Sequence, residues 1–180
     1  WQIEQFNIAG KKISDAFSTK EIHIMQHILN STGAMRFPEF QMDMVRLGIG
    51  LYGVSPNGEN QRELQNVAVL KTTISQIKKI KRGESIGYNR SAFAEKEMTT
   101  ATIPIGYADG FSRKLGNGKG KMIIKGKDGM NKPIFVPTVG NICMDMCMLD
   151  ITGIDAAEGD DVIVFGSDYP IAEMAQDAGT

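Results

Sequence analysis

A mainly β protein, preceded by a short α/β segment, is what this chain of 180 residues predicts, and three observations carry the prediction. Beyond about residue 65 the chain is a succession of short runs rich in β-branched residues, parted by Gly, Asn and Asp. Ahead of it, residues 2–18 set Ile3, Phe6, Ile13 and Phe17 at helical spacing, and two short apolar runs follow. Between the two textures lies "SPNGENQREL", residues 55–64, polar and rich in turn formers. A boundary is expected there, dividing the chain into 1–60 and 61–180.

Taken in order, the helix is followed by "IHIMQHIL" (22–29), short enough for a buried strand and ended by Asn30, Ser31 and Gly33. "MVRLGIGLYGV" (44–54) is a second apolar run, broken by Gly48, Gly50 and Gly53. Helix, strand, connection and strand fit a layer of parallel strands. "NVAVLKTTISQIKKI", "TTATIPIG", "KMIIK", "KPIFVPTVG", "CMLDITG" and "DDVIVFG" then read as the strands of a β-barrel or sandwich. "IAEMAQDAGT" closes as a helix. The chain opens without Met and inside a helix, which reads as a piece of a longer protein.

Composition narrows the function. A formal net charge of −1, with no basic block, favours neither nucleic acid nor an anionic membrane surface. No apolar run nears the roughly 20 residues that cross a bilayer, and no signal peptide opens the chain. The two cysteines make no disulfide framework, so a reducing cytoplasm is the expected location.

"GNICMDMCML" (140–149) tempts a sulfur-ligand reading. Cys143 and Cys147 lack the further ligands of a zinc site, and the two histidines, His23 and His27, lie more than 100 residues away. On extended chain the pair would stand ~13 Å apart, too far for a disulfide. Buried, unreactive thiols are therefore expected, and no metal. "IPIGYADG" (103–110) and "ESIGYNRS" (84–91) each set a tyrosine, Tyr107 and Tyr88, just after a glycine at a turn. A packing aromatic explains either. A proton-transferring phenol would need its high pKa lowered by nearby positive charge, which Arg90 could supply. "HILNSTG" and "RLGIG" place small residues after apolar runs, as phosphate sites in parallel barrels do, although His27 by itself reads as a core histidine.

In this order, "HILNS", "MVRLGIGLYG", "SIGY", "IPIGYADG" and "VGNICMD" resemble the carboxy-terminal half of the alanine racemases, enzymes dependent on pyridoxal phosphate. The likeness runs through nearly all of the chain. It implies the end of a TIM-type α/β barrel in residues 1–60 and the family's β-barrel domain in 61–180. It also implies roles. Ser31 matches a serine that binds the cofactor phosphate, joined by the backbone of Gly48 and Ile49. Arg46 matches the arginine facing the pyridine nitrogen, and His27 the histidine supporting it. Tyr88 stands at the catalytic tyrosine, Tyr107 at the substrate entrance, and Met144 where a backbone N–H holds the substrate carboxylate. Alanine is the implied substrate and a homodimer with shared active sites the implied assembly, with D-alanine feeding peptidoglycan synthesis.

Two departures matter. The family's cofactor-linking lysine sits in a "K-A-N-A-Y-G" type segment, and no stretch here resembles it. The tyrosine completing the phosphate site lies beyond the counterpart of "AGT". The chain alone is thus expected to be inactive. The rival readings are a related pyridoxal-phosphate amino-acid decarboxylase, which should lack "IPIGYADG" with "GNICMD", and a non-catalytic β-domain used for assembly.

Overall fold

The structure, a computed structural model, describes residues 1–20, 22–55, 58–59, 61–125 and 132–180. It divides into two compact units, Trp1–Val67 and Ala68–Thr180. Pro56, Asn57 and Asn60, from the stretch expected as the boundary, lie outside the described residues.

In the first unit, helix α1 (Gln2–Phe17) follows the apolar spacing read from the sequence, yet buries no residue. Helix α2 (Ser31–Arg36) starts where Asn30 caps it, the Oδ1 accepting the Gly33 N–H at 2.9 Å. The two apolar runs expected as buried strands are not strands. They lie side by side, joined by the Asp43 N–H to Gln26 O (3.2 Å) and the Arg46 N–H to Leu29 O (2.9 Å). A parallel ladder alternates donors between its strands at two-residue steps; here both donors, Asp43 just before the second run and Arg46 within it, lie on the same side, three residues apart. The Asp43 side chain also takes the Gln26 N–H, at 2.8 Å. Ile22, Met25, Met44 and Leu47 are all exposed, whereas parallel strands persist where both faces are covered. The second run ends in a 3-10 turn, Ile49–Tyr52, closed by Gly53 at φ 74°. A Cβ at Gly53 would collide with the Gln65 carbonyl, so glycine is required twice over.

The second unit is antiparallel sheet throughout. Its strands are β1 (Leu70–Thr73), β2 (Gln76–Ile80), β3 (Ser85–Ile86), β4 (Ala92–Phe93), β5 (Met98–Ile103), β6 (Lys121–Lys125), β7 (Pro133–Val139), β8 (Cys147–Asp150) and β9 (Asp161–Phe165). Seven form one sheet in the order β1-β9-β6-β7-β8-β5-β2, and β3 pairs β4 in a hairpin. β1 and β2 are halves of one run bent at Ile74–Ser75, whose N–H groups bond Asp160 O and Thr102 O on the two flanks. One stretch of chain therefore supplies both edge strands, and the sheet between them curls toward a barrel. Its interior is filled by Ile103, Met122, Ile124, Val136, Leu149 and their neighbours.

β6 reads as three consecutive buried residues because it is covered on both sides. Met122 and Ile124 face the barrel core, while Ile123 packs with Ile163 and Tyr169 beneath helix α3 (Ile171–Asp177). Tyr169 is fully buried and donates to Asp177 Oδ2 at 2.6 Å. Lys121 lies over its ring at 4.9 Å and pairs with Glu173 at 2.7 Å, fastening α3 to the sheet. Burial, and then the hydrogen bond to Asp177, push the Tyr169 phenol well above its ordinary range. No helix among the described residues is long and apolar enough to cross a membrane.

Candidate active site

A cleft of about 500 Å³ opens on the second unit, and both sequence-singled tyrosines line it. Two loops build its wall. The Tyr107 N–H donates to Cys143 O and the Ala108 N–H to Met144 O, each at 3.0 Å, zipping "GYADG" to "GNICMD". The approach is possible only because residue 106 is glycine. A Cβ there would run into the carbonyls of Cys143 and Met144. The Asp109 carboxylate accepts the Gly106 N–H at 2.9 Å and holds the turn that aims Tyr107. Arg113 lies 3.9 Å from the Tyr107 ring centroid, a cation over a π face, and is the charged side chain of the cleft.

Tyr88 comes from the turn between β3 and β4 and is 74% exposed. Gly87 (φ 74°), Asn89 (φ 59°) and Arg90 (φ 51°) around it are all left-handed. Asn tolerates that region; Arg rarely enters it, and such residues cost about 1–3 kcal/mol each. The Arg90 guanidinium sits over the Phe93 ring at 5.3 Å, one strand further on.

Met144 lies at the bend of the 140–146 loop, exposed, and its N–H has no partner among the described residues. The bend also corrects the expected thiol separation. Residues 143–146 are not extended but fold back, the Cys143 N–H reaching Met146 O at 2.9 Å. Both cysteines are nevertheless free thiols. Cys147 is wholly buried in the barrel core, and desolvation, helped by Cys143 nearby, pushes its thiol up to about 12. Half-buried Cys143 lines the cleft. Among the described residues no group of three or more His, Cys, Asp or Glu could hold a metal ion.

The first unit carries a second cluster. Ser31 Oγ accepts the N–H groups of Gly48 (2.9 Å) and Gly50 (3.3 Å), joining residues far apart in sequence. A Cβ on Gly50 would stand 3.3 Å from the Ser31 Cβ and Oγ, a tight contact that Ser31 would have to relieve by a few tenths of an ångström. Both N–H groups are spent on the Ser31 oxygen, and the three residues form a small cradle whose remaining donor is the hydroxyl proton. Ile49 opens the turn between the two glycines. Arg46 donates from Nη2 to Ile28 O at 3.2 Å and lines a cavity of about 460 Å³ with Asn30 and Arg36. Among the described residues no hydrogen bond joins it to His27, whose buried Nδ1 finds no partner among them either. Gly50, Arg113 and Asn141 belong to these sites without having been singled out in the sequence. The glycine-rich run around Gly50 was a signal for the first; nothing local marks Arg113.

In chain order, then, a smaller unit in which Ser31 meets Gly48 and Gly50 precedes a β-domain bearing a tyrosine-lined cleft, the architecture of a two-part α/β-plus-β protein. The family pattern described as "Alanine racemase, C-terminal domain" matches residues 67–180, and "Alanine racemase, N-terminal domain" matches 1–56. The chain belongs to the alanine racemase family. Alanine racemase of Clostridium novyi is 40% identical over 183 residues, covering 98% of this chain and 44% of the relative. Alanine racemase 1 of Clostridium acetobutylicum is 39% identical over 164 residues, covering 87% of this chain and 40% of the relative. Among solved structures, the Clostridium difficile alanine racemase complex with cycloserine superposes with a TM-score of 0.77 at 34% identity, covering 100% of this chain and 48% of that one. The Bartonella henselae alanine racemase with covalently bound pyridoxal phosphate gives 0.74 at 32% identity, covering 96% and 47%. The chain thus spans less than half the length of these relatives.

Proposed function

We propose that these residues are the carboxy-terminal half of a pyridoxal-phosphate-dependent alanine racemase that interconverts L- and D-alanine. The observation that carries the reading is the cleft itself. It joins an exposed phenol, Tyr88, to a backbone N–H, Met144, that has no partner among the described residues. A racemase needs a proton-transferring group on each face of Cα and a fixed carboxylate. Tyr88 serves one face, and the Met144 N–H holds the carboxylate. Tyr107, held by Arg113, narrows the way in. In the first unit Ser31, with the N–H groups of Gly48 and Ile49, would hold the phosphate.

Pyridoxal phosphate, when bound, supplies the electron sink that acidifies the proton on the substrate's Cα. In this reading Arg46 would be the residue that holds the ring nitrogen, with His27 supporting it. Its guanidinium keeps its own proton, so it donates a hydrogen bond without protonating the nitrogen. The base on the opposite face is a lysine outside these 180 residues. Two copies pack so that Tyr88 and Met144 of one serve the cradle of the other, and the D-alanine made in the cytoplasm feeds peptidoglycan.

The test is direct. The full-length protein containing this stretch, loaded with pyridoxal phosphate, should convert L-alanine to D-alanine and back. Absence of racemisation in the loaded, folded protein would overturn the reading.

A further inference from the structure

Asn141 lines the cleft beside Met144, and its amide is held from outside it. Asn117, on the neighbouring turn, donates from Nδ2 to Asn141 Oδ1 at 3.0 Å. The same residue donates its backbone N–H to Gly140 O at 2.8 Å. It adopts φ 55°, a left-handed conformation that Asn tolerates better than most side chains. The turn is anchored in turn by Thr138, buried, whose hydroxyl donates to Leu115 O. Asn117 itself is exposed, and its side-chain bond to Asn141 lies at the surface beside this anchored turn.

The consequence is one of polarity. An amide has a donor end and an acceptor end. With Oδ1 taken by Asn117, the end of Asn141 left without a partner among the described residues is its NH2 group. This wall then brings together three groups that only donate, the Met144 N–H, the Asn141 NH2 and, over Tyr107, the Arg113 guanidinium, beside phenols that can donate or accept. Such a set suits a carboxylate, which accepts and never donates when ionised.

We infer that Asn141 is a second carboxylate donor of this cleft and that Asn117 is the positioning residue that turns its NH2 group inward. The inference rests on the racemase reading for the identity of the ligand, a small amino acid. Fixing the carboxylate is binding shared by ground and transition state, so its loss should raise KM and leave kcat nearly untouched.

Asn141→Leu keeps the shape of the side chain and deletes the donor. In the loaded full-length protein it should raise KM for alanine, and Ki for propionate as a competitive inhibitor, about tenfold or more, with kcat within about twofold, since hydrogen bonds to charged groups are worth that much. Asn117→Gly keeps the left-handed backbone and its N–H bond to Gly140 but frees the Asn141 amide. It should raise both constants about threefold, a fraction of the full loss. A fall in kcat and melting temperature with KM and Ki unmoved would mean that the pair is only structural, and would overturn the inference. Propionate binding, read by the Asn141 side-chain amide resonance, needs no turnover. If the wild-type protein failed to racemise alanine yet propionate shifted that resonance, the racemase reading would fall and the carboxylate donor would stand. Racemisation with wild-type KM in Asn141→Leu would remove the donor alone.

Discussion

Tyr88 stands in the cleft on a turn whose backbone is left-handed at Gly87, Asn89 and Arg90, so its placement is held against local preference. Tyr88→Phe keeps the ring and deletes the oxygen, and an exposed side chain loses little packing by it. In the full-length enzyme racemisation should fall about 10²–10⁴-fold in both directions, because each passes a proton through both faces. Exchange of the α-proton with deuterated water should persist for D-alanine and nearly vanish for L-alanine. Equal losses for the two enantiomers, with a lowered melting temperature, would show a structural tyrosine. The thiols give a second residue-level expectation. Cys147 is raised from an ordinary 9.0 to about 12 by burial, so its proton is held by the folded state and released by the unfolded one. Folding then binds more protons than the unfolded chain above about pH 9, and stability falls as pH rises from there toward about 12. The contribution is complete below pH 9. Cys147→Ala should flatten that part of the pH–stability curve; an unchanged slope would refute the assignment. Denatured, non-reduced protein should titrate as two free thiols and carry no zinc.

At the scale of elements, the cleft depends on two loops pressed together rather than on any strand. Gly106 is where they touch. Gly106→Ala drives a Cβ into the Cys143 and Met144 carbonyls, and relieving it means breaking the bonds from Tyr107 and Ala108. A destabilisation of about 1–3 kcal/mol is expected from such overpacking, with Tyr107 displaced. Gly110→Ala serves as the comparison. It has φ 93° but open space around its missing Cβ, so it should suffer only the backbone cost, about 1 kcal/mol. Chemical denaturation of both variants measures the difference. Equal effects would mean that the close approach at Gly106 does not hold the loops.

For the whole molecule, the two units differ in what holds them. The second has a continuous core in a sheet whose edges are joined through Ile74–Ser75. In the first, α1 buries nothing and the apolar runs share few backbone bonds. Amide exchange should therefore be slowest in β5, β6 and β8 and fast in residues 22–30, since protection follows buried, bonded backbone. Comparable protection in 22–30 would contradict this picture. The 180 residues alone should not racemise alanine, because none of their segments resembles the family's lysine-bearing one. D-alanine formed by them with pyridoxal phosphate would refute that expectation.

The sequence by itself determined what depends on short-range chemistry. The α1 period, the β-rich texture after residue 65 and the order of the tyrosine and glycine motifs were legible because each is written in neighbouring residues. Cys147 was expected to be buried from its spacing and lack of partner ligands, and it is in the core, whereas Cys143, expected buried with it, is only half-buried. The two apolar runs were misread as strands, since an apolar run records burial propensity while a strand needs partners, which lie elsewhere in the chain. The cradle of Ser31 with Gly48 and Gly50, the stacking of Arg113 on Tyr107 and the hold of Asn117 on Asn141 were decided only in three dimensions. The cradle and the Asn117–Asn141 contact each join residues at least 17 positions apart. Arg113 and Tyr107, though close in sequence, meet only because the turn held by Asp109 brings the chain back on itself. Hydrogen bonds and ring contacts act over a few ångströms of space, and distance along the chain does not record them.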